Sequence, residues 1–186
     1  MIKNSFNDEA IFYPITRLFI TIEIGVSIMV NIIQTSTREE YIQGKELFEE
    51  YAKSINIDLA FQSFDDELKD VSKKYGPSAG GSLLLAKDGE QIIGCVALRK
   101  IDENICEMKR LYVQPEAKGK GLGRKLAEAI IEQAKNMGYS FMRLDTLKTM
   151  KPAVTLYQSL GFYPIDPYIF NPLENALFLE LNLVEK

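Results

Sequence analysis

Three glycines at alternate positions, Gly119, Gly121 and Gly123, follow a run patterned as a strand and precede one patterned as a helix. Before them, Cys106, Glu107, Met108, Lys109, Arg110, Leu111, Tyr112 and Val113 read as extended chain. After them, Leu122, Leu126, Ala129, Ile130 and Met137 recur at helical spacing until Gly138 stops the run. A chain that passes from strand to helix through such a turn aims backbone N–H groups that the helix cannot use at a single spot. Glycine lets an oxygen approach closely and takes positive φ, while Lys118, Lys120, Arg124 and Lys125 ring the same spot with cationic donors. The turn predicts a pyrophosphate-bearing ligand.

The rest of the composition narrows the field by exclusion. The 22 Lys and Arg against 26 Asp and Glu leave a net charge of -4, so no general basic field draws the chain to nucleic acid or anionic lipid. A local basic patch on an acidic body suits a small anionic ligand. With no histidine in the sequence, proton transfer falls to carboxylates, tyrosine, lysine or water. Cys95 and Cys106 lie in apolar strand contexts and read as buried thiols of a reducing, cytoplasmic compartment. At 186 residues one domain is the default, expected over residues 30–186. Residues 1–29 form an extension of uncertain status. Pro14, Arg17 and Glu23 break its apolar run short of the ~20 clean residues of a membrane span, and Asp8 and Glu9 do not suit a secretory leader. Met29 as the natural first residue, or an extra strand docked locally, are the two expectations for it.

From residue 31 the pattern is regular. A short strand over residues 31–35 leads to Thr37 and Glu40, a capping box that opens a helix to about residue 54. A second helix follows Ser63. Its charged run, Asp65, Asp66, Glu67, Lys69, Asp70, Lys73 and Lys74, reads as a solvated face with Leu68 and Val71 turned inward. Three antiparallel strands are expected over residues 81–87, 91–100 and 105–113, joined by hairpin turns. The strand over 141–147 is reached through a helix, which predicts a parallel, right-handed crossover. Pro152 starts a further helix that Gly161 ends, and extended pieces over 162–165 and 176–183 close the chain.

Three phosphate-binding templates compete for the turn. The Walker loop fails, because Arg124 and Lys125 follow Gly123 with no hydroxyl residue to meet a metal. A dinucleotide fold has Asp145 about the expected ~20 residues downstream, but Leu126 or Arg124 then fills the third small position. The stretch between Val113 and Gly119 is also too long for it. The third template fits: Lys118 through Gly123 resembles the Arg/Gln-x-x-Gly-x-Gly/Ala signature of the GNAT acyltransferases, with Lys118 in place of the usual Arg or Gln. Residues 107–113 resemble that family's fourth strand. The run Ala153, Val154, Thr155, Leu156, Tyr157, Gln158, Ser159, Leu160, Gly161, Phe162 resembles its Ala-x-x-Leu-Tyr-x-x-x-Gly-Phe block.

The resemblance implies an α/β fold, a mixed and mostly antiparallel sheet flanked by helices, with a splayed parallel strand pair near Tyr112 and Asp145 as the coenzyme A cleft. It implies acetyl-CoA as co-substrate without a metal, backbone contacts to the pantetheine arm at Leu111, Tyr112 and Val113, and a diphosphate held by Lys118, Gly119, Lys120, Gly121, Leu122, Gly123 and Arg124. The expected reaction is direct transfer of an acetyl group to a primary amine, either a small molecule or a protein N-terminus or lysine. A coenzyme-A-binding sensor without turnover is the alternative. No membrane and no nucleic acid are expected as partners, and a homodimer through terminal strands is implied by resemblance alone. An alkyl ammonium with a pKa near ~10 must shed a proton before attack. Glu107 is the expected base and Tyr157 the expected acid toward the leaving thiolate. Tyr168, Asp166 and Glu174 are expected to line the acceptor pocket with the first two helices.

Overall fold

The computed structural model describes residues 19–24 and 28–184. The expectations for residues 1–18 and 25–27 lie outside them. A single eight-stranded sheet organises the chain. Its strands are β1 (Phe19–Ile24), β2 (Ile28–Gln34), β3 (Ser82–Asp88), β4 (Gln91–Lys100), β5 (Ile105–Val113), β6 (Phe141–Leu147), β7 (Tyr163–Pro164) and β8 (Ala176–Asn182). They lie in the order β1-β2-β3-β4-β5-β6-β8-β7, antiparallel everywhere except between β5 and β6. The extra strand β1 extends the sheet beyond β2, with Phe19 opposite Ile33.

Among the described residues five α-helices pack on the two faces: α1 (Arg38–Ile55), α2 (Phe64–Lys69), α3 (Val71–Tyr75), α4 (Leu122–Asn136) and α5 (Lys151–Ser159). The capping box starts α1 as its sequence predicts. Thr37 Oγ1 accepts from the Glu40 N–H at 3.2 Å, and the Glu40 carboxylate accepts from the Thr37 N–H at 3.1 Å. On one face, Leu122, Leu126 and Ile130 of α4 are buried against Leu84, Val96 and Leu98 of the sheet. On the other, Leu47 and Phe48 of α1 and Tyr75 of α3 meet Leu83, Leu85 and Ala97. Burying each such side chain contributes about 1.5–3 kcal/mol, and the strict alternation along β3 lets one strand feed both cores. Cys95 and Cys106 are free and buried, and burial pushes the Cys106 thiol up to about 12, so neither is a nucleophile at neutral pH. Among the described residues no helix is long and apolar enough to cross a membrane.

The second predicted helix is two. Asp70 breaks it at φ -153° and caps the start of α3 by accepting from the Lys73 N–H at 2.9 Å. Val71 turns inward as expected and Leu68 packs half-buried against the core. The charged run around them is only partly solvated, because Glu67 is buried with its carboxylate committed to Arg110.

Candidate active site

Strand β5 is interrupted at Arg110, whose φ of 56° lies in the left-handed region. Such a backbone costs a non-glycine residue roughly 1–2 kcal/mol. The register with β4 slips at the same place, between Cys95 and Ala97, which inserts one extra residue on β5. The insertion reverses the alternation of the strand: Met108 belongs to the α4-side core, while Tyr112, of the same parity, belongs to the α1-side core. Pairing with β6 then fails. Ile105, Cys106 and Glu107 lie opposite Phe141, Met142 and Arg143, and no residue further along either strand is matched. Tyr112 and Val113 pair with Cys95 and Gly94 of β4 on one edge and have no strand on the other.

Where the strands part, a cavity opens that both cores line. Met108, Leu111 and Leu144 come from the α4 side. Tyr51, Ile55, Ile57, Leu59 and Phe61 come from the end of α1 and the segment after it, and Ala153 and Tyr157 come from α5. Residues from both faces of the sheet therefore border one opening where β5 and β6 part. Tyr157 is 8% exposed and stacks edge-on with Phe162 at 5.8 Å. Its hydroxyl has no hydrogen-bond partner among the described residues. Burial, with smaller contributions from Tyr51 and Asp145, raises its pKa, so the phenol keeps its proton throughout the neutral range.

A buried polar cluster frames the α1 side of the cavity. Arg110 Nε and Nη2 donate to the two Glu67 oxygens at 2.8 and 2.7 Å, Nη1 donates to Gln62 Oε1 at 3.0 Å, and the guanidinium lies 4.9 Å from the Phe64 ring centre. Burial would lift the Glu67 carboxyl, but the hydrogen bonds and charge of Arg110 outweigh it and hold the group below its ordinary value. This fork fastens α2 to the bulge and offsets the strain at Arg110. Gln62 continues the chain of contacts by donating to Asp145 Oδ2 at 3.1 Å; Asn171 donates to the same oxygen at 2.9 Å and Lys109 Nζ to Oδ1 at 3.2 Å. One carboxylate on β6 thus ties together β5, the segment after α1 and the loop before β8.

Arg110→Met is expected to cost about 3–5 kcal/mol of stability, because it strands Glu67 without a counter-charge. The Glu67→Leu, Arg110→Met double variant should recover most of that loss. Urea unfolding followed by circular dichroism measures both.

The glycine turn sits at the far end of β5. Gly119 and Gly121 both have φ of 78°, and a Cβ built on either meets nothing within 4 Å. The protein itself leaves that space open. Gly121 is the N-cap of α4 and supplies no side-chain cap, so the first N–H groups of the helix point outward without acceptors from the helix. Gly123 is helical, with its nearest foreign atom 3.9 Å from a built Cβ. Alanine would fit there and favour the helix, so the bare backbone is unexplained by packing and suits an approaching oxygen. Arg124 Nη2 donates to Ser159 Oγ at 2.5 Å, which links this helix start to the end of α5.

Residues 44–162 match the model of the acetyltransferase (GNAT) family. The chain belongs to that family. It is 44% identical over 140 residues to an uncharacterised N-acetyltransferase of Schizosaccharomyces pombe, covering 75% of this chain and 86% of the relative. It is also 31% identical to human N-acetyltransferase 8B, over 57% of this chain and 48% of that protein. Among solved structures, a GNAT-family acetyltransferase of Staphylococcus aureus superposes with a TM-score of 0.69 at 25% identity, over 83% of this chain and 99% of that one. A putative acetyltransferase of Salmonella typhimurium, solved with its cofactor acetyl-CoA, superposes at 0.62 and 20% identity, over 84% and 95%.

In this GNAT domain, Tyr157 and Leu111 line the cavity, and Tyr112, Val113 and residues 118–124 lie along the strand edge and turn that lead to it. Glu107 is elsewhere. It is fully buried, paired with Arg99, accepts from the Tyr168 hydroxyl at 2.8 Å and lies 3.6 Å from Lys109 Nζ, outside the cavity lining. Tyr168 is spent on that contact, and Asp166 and Glu174 are exposed; none of the three lines the cavity, whereas Asn171 and Leu173 of the same loop do. The carboxylate that does face the cavity is Asp145. A usable signal for it exists in the sequence: it is the one acid of the strand Phe141–Leu147, three residues before the turn into the Tyr157 helix.

Proposed function

We propose that this GNAT acetyltransferase moves the acetyl group of acetyl-CoA to a primary amine by direct attack. The observation that carries the reading is the shared cavity: Tyr157 and the freed edge of β5 border the same opening, and that edge runs on into the glycine turn. In this reading the first amides of α4 and of residues 119–121 hold the diphosphate, with Lys118, Lys120 and Arg124 around them. The edge of Leu111, Tyr112 and Val113 takes the pantetheine arm. The acetyl-CoA named as cofactor of the Salmonella neighbour supports acetyl-CoA as the co-substrate.

As the amine attacks, a C–N bond forms and the C–S bond breaks. The Tyr157 hydroxyl gives its proton to the departing sulfur, and the nitrogen releases one proton to water in front of Asp145. Glu107 stands behind Lys109 and holds it toward Asp145, a positioning role. The Tyr157 phenolate then recovers from solvent the proton that the nitrogen released, which closes the cycle.

Thiol release from acetyl-CoA across a panel of primary amines tests the reading, with coenzyme affinity measured in parallel by calorimetry. Turnover should saturate in both substrates. Tight coenzyme binding with no release on any amine would instead support a coenzyme sensor.

A further inference from the structure

Resting on that reading, we infer that the acceptor is an amine with a single positive charge carried on an apolar body, and that polycations are poor substrates. The wall of the cavity on the α1 side is Ile55, Ile57, Leu59 and Phe61, closed by Leu173 from the loop before β8. Among the described residues one acid lines the cavity, Asp145, and its oxygens already receive Lys109, Gln62 and Asn171. Two cations, Lys109 and Arg110, line it as well.

The neighbouring acids are not free to serve a ligand. Glu67 is held by the Arg110 fork and Glu107 by Arg99 and Tyr168. Arg99, Lys109 and Arg110 therefore balance Glu67, Glu107 and Asp145, and the cluster carries no net charge. A second or third ammonium on the acceptor would be desolvated against isoleucine, leucine and phenylalanine with no counter-charge, and would face two cations. Asp58 and Glu174, beside the wall in sequence, are exposed, and pairing with them in water contributes little. An apolar substituent gains from the same wall. The single reacting nitrogen needs no permanent anion, since it must be neutral to attack. An apolar alkyl- or arylalkylamine and a peptide N-terminus with an apolar first residue both present this chemistry.

The test uses the full chain at saturating acetyl-CoA, with thiol release measured for four acceptors. These are 2-phenylethylamine, a lysine-free peptide with a free N-terminal leucine, spermidine, and an N-terminally blocked peptide rich in lysine. For at least one of the first two, kcat/KM should exceed both polycations by tenfold or more; which of the two leads separates a small amine from a peptide terminus. Phe61→Glu, checked for unchanged acetyl-CoA affinity, should cut the better apolar acceptor at least tenfold and raise spermidine. Spermidine or the lysine peptide equalling both apolar acceptors would overturn this inference alone, as would Phe61→Glu leaving the ranking untouched. No release from any acceptor with coenzyme still bound would overturn acetyl transfer itself, and this inference with it.

Discussion

Gly121→Glu should weaken acetyl-CoA binding by at least a hundredfold in titration calorimetry while leaving the far-ultraviolet circular dichroism spectrum of a folded domain. Two effects add. At φ of 78° any side chain costs roughly 1–2 kcal/mol of backbone strain, felt at the start of α4. The larger effect is local: a carboxylate would fill the empty space above Gly121 and oppose a diphosphate at the positive end of the helix. Gly123→Ala separates the two, because that position carries no strain and its built Cβ has room. Helix propensity favours the alanine by up to about 1 kcal/mol, so the variant should melt no earlier than the wild type yet bind the coenzyme less tightly. Unchanged affinity in both variants would move the diphosphate away from this turn.

Tyr157→Phe should lower kcat by about 10²- to 10⁴-fold, the usual contribution of a placed acid, with acetyl-CoA affinity within twofold of wild type. The phenyl ring keeps the edge contact with Phe162, so packing is preserved and the missing atom is the proton donor. The pH dependence carries a sign that can be checked. Burial raises the folded-state pKa, so the active, protonated phenol persists below and through the ordinary value near 10, and the wild-type rate should show no loss from this group on the alkaline side until above that pH. The same shift bears on stability. The phenol is favoured neutral in the fold, so its contribution is complete below the unfolded pKa and is lost as pH rises toward the folded one. A rate that survives the substitution would assign the proton to another donor.

What the sequence disclosed and what it withheld divide along a physical line. Features fixed by neighbours within one turn or one hairpin were legible: the Thr37 and Glu40 cap, the strand over Phe141–Leu147, and the glycine turn opening α4 all stand where local chemistry puts them. The helix that carries Tyr157 was legible because its apolar spacing and the glycine stop agree. The contacts that shape the cavity were not. Glu67 and Arg110 are separated by 43 residues, Gln62 and Asp145 by 83, and a charged run in isolation looks the same whether water or a guanidinium awaits it. The partners of Glu107, Arg99 and Tyr168, were hidden for the related reason that a strand pattern gives the side of a residue but not the identity of what covers that side. A local clue did exist. Lys109 and Arg110, adjacent charges in the middle of an apolar strand, cannot both face water in a covered sheet, and they call for buried acids and a break in alternation.

The break in β5 also sets how the enzyme can diversify. In the proposed reading the coenzyme side is residues 111–124, a contiguous piece of chain, whereas the opposite wall of the cavity comes from Ile55, Ile57, Leu59 and Phe61 and from the loop that carries Asn171 and Leu173. The second wall is joined to β5 by polar contacts, Arg110 to Gln62 and the Asp145 carboxylate to Gln62, Lys109 and Asn171, so apolar substitutions that spare those contacts reshape the wall and leave the β5 backbone in place. A new acceptor can then be acquired by a few substitutions on one rim, with the acyl donor's berth inherited unchanged.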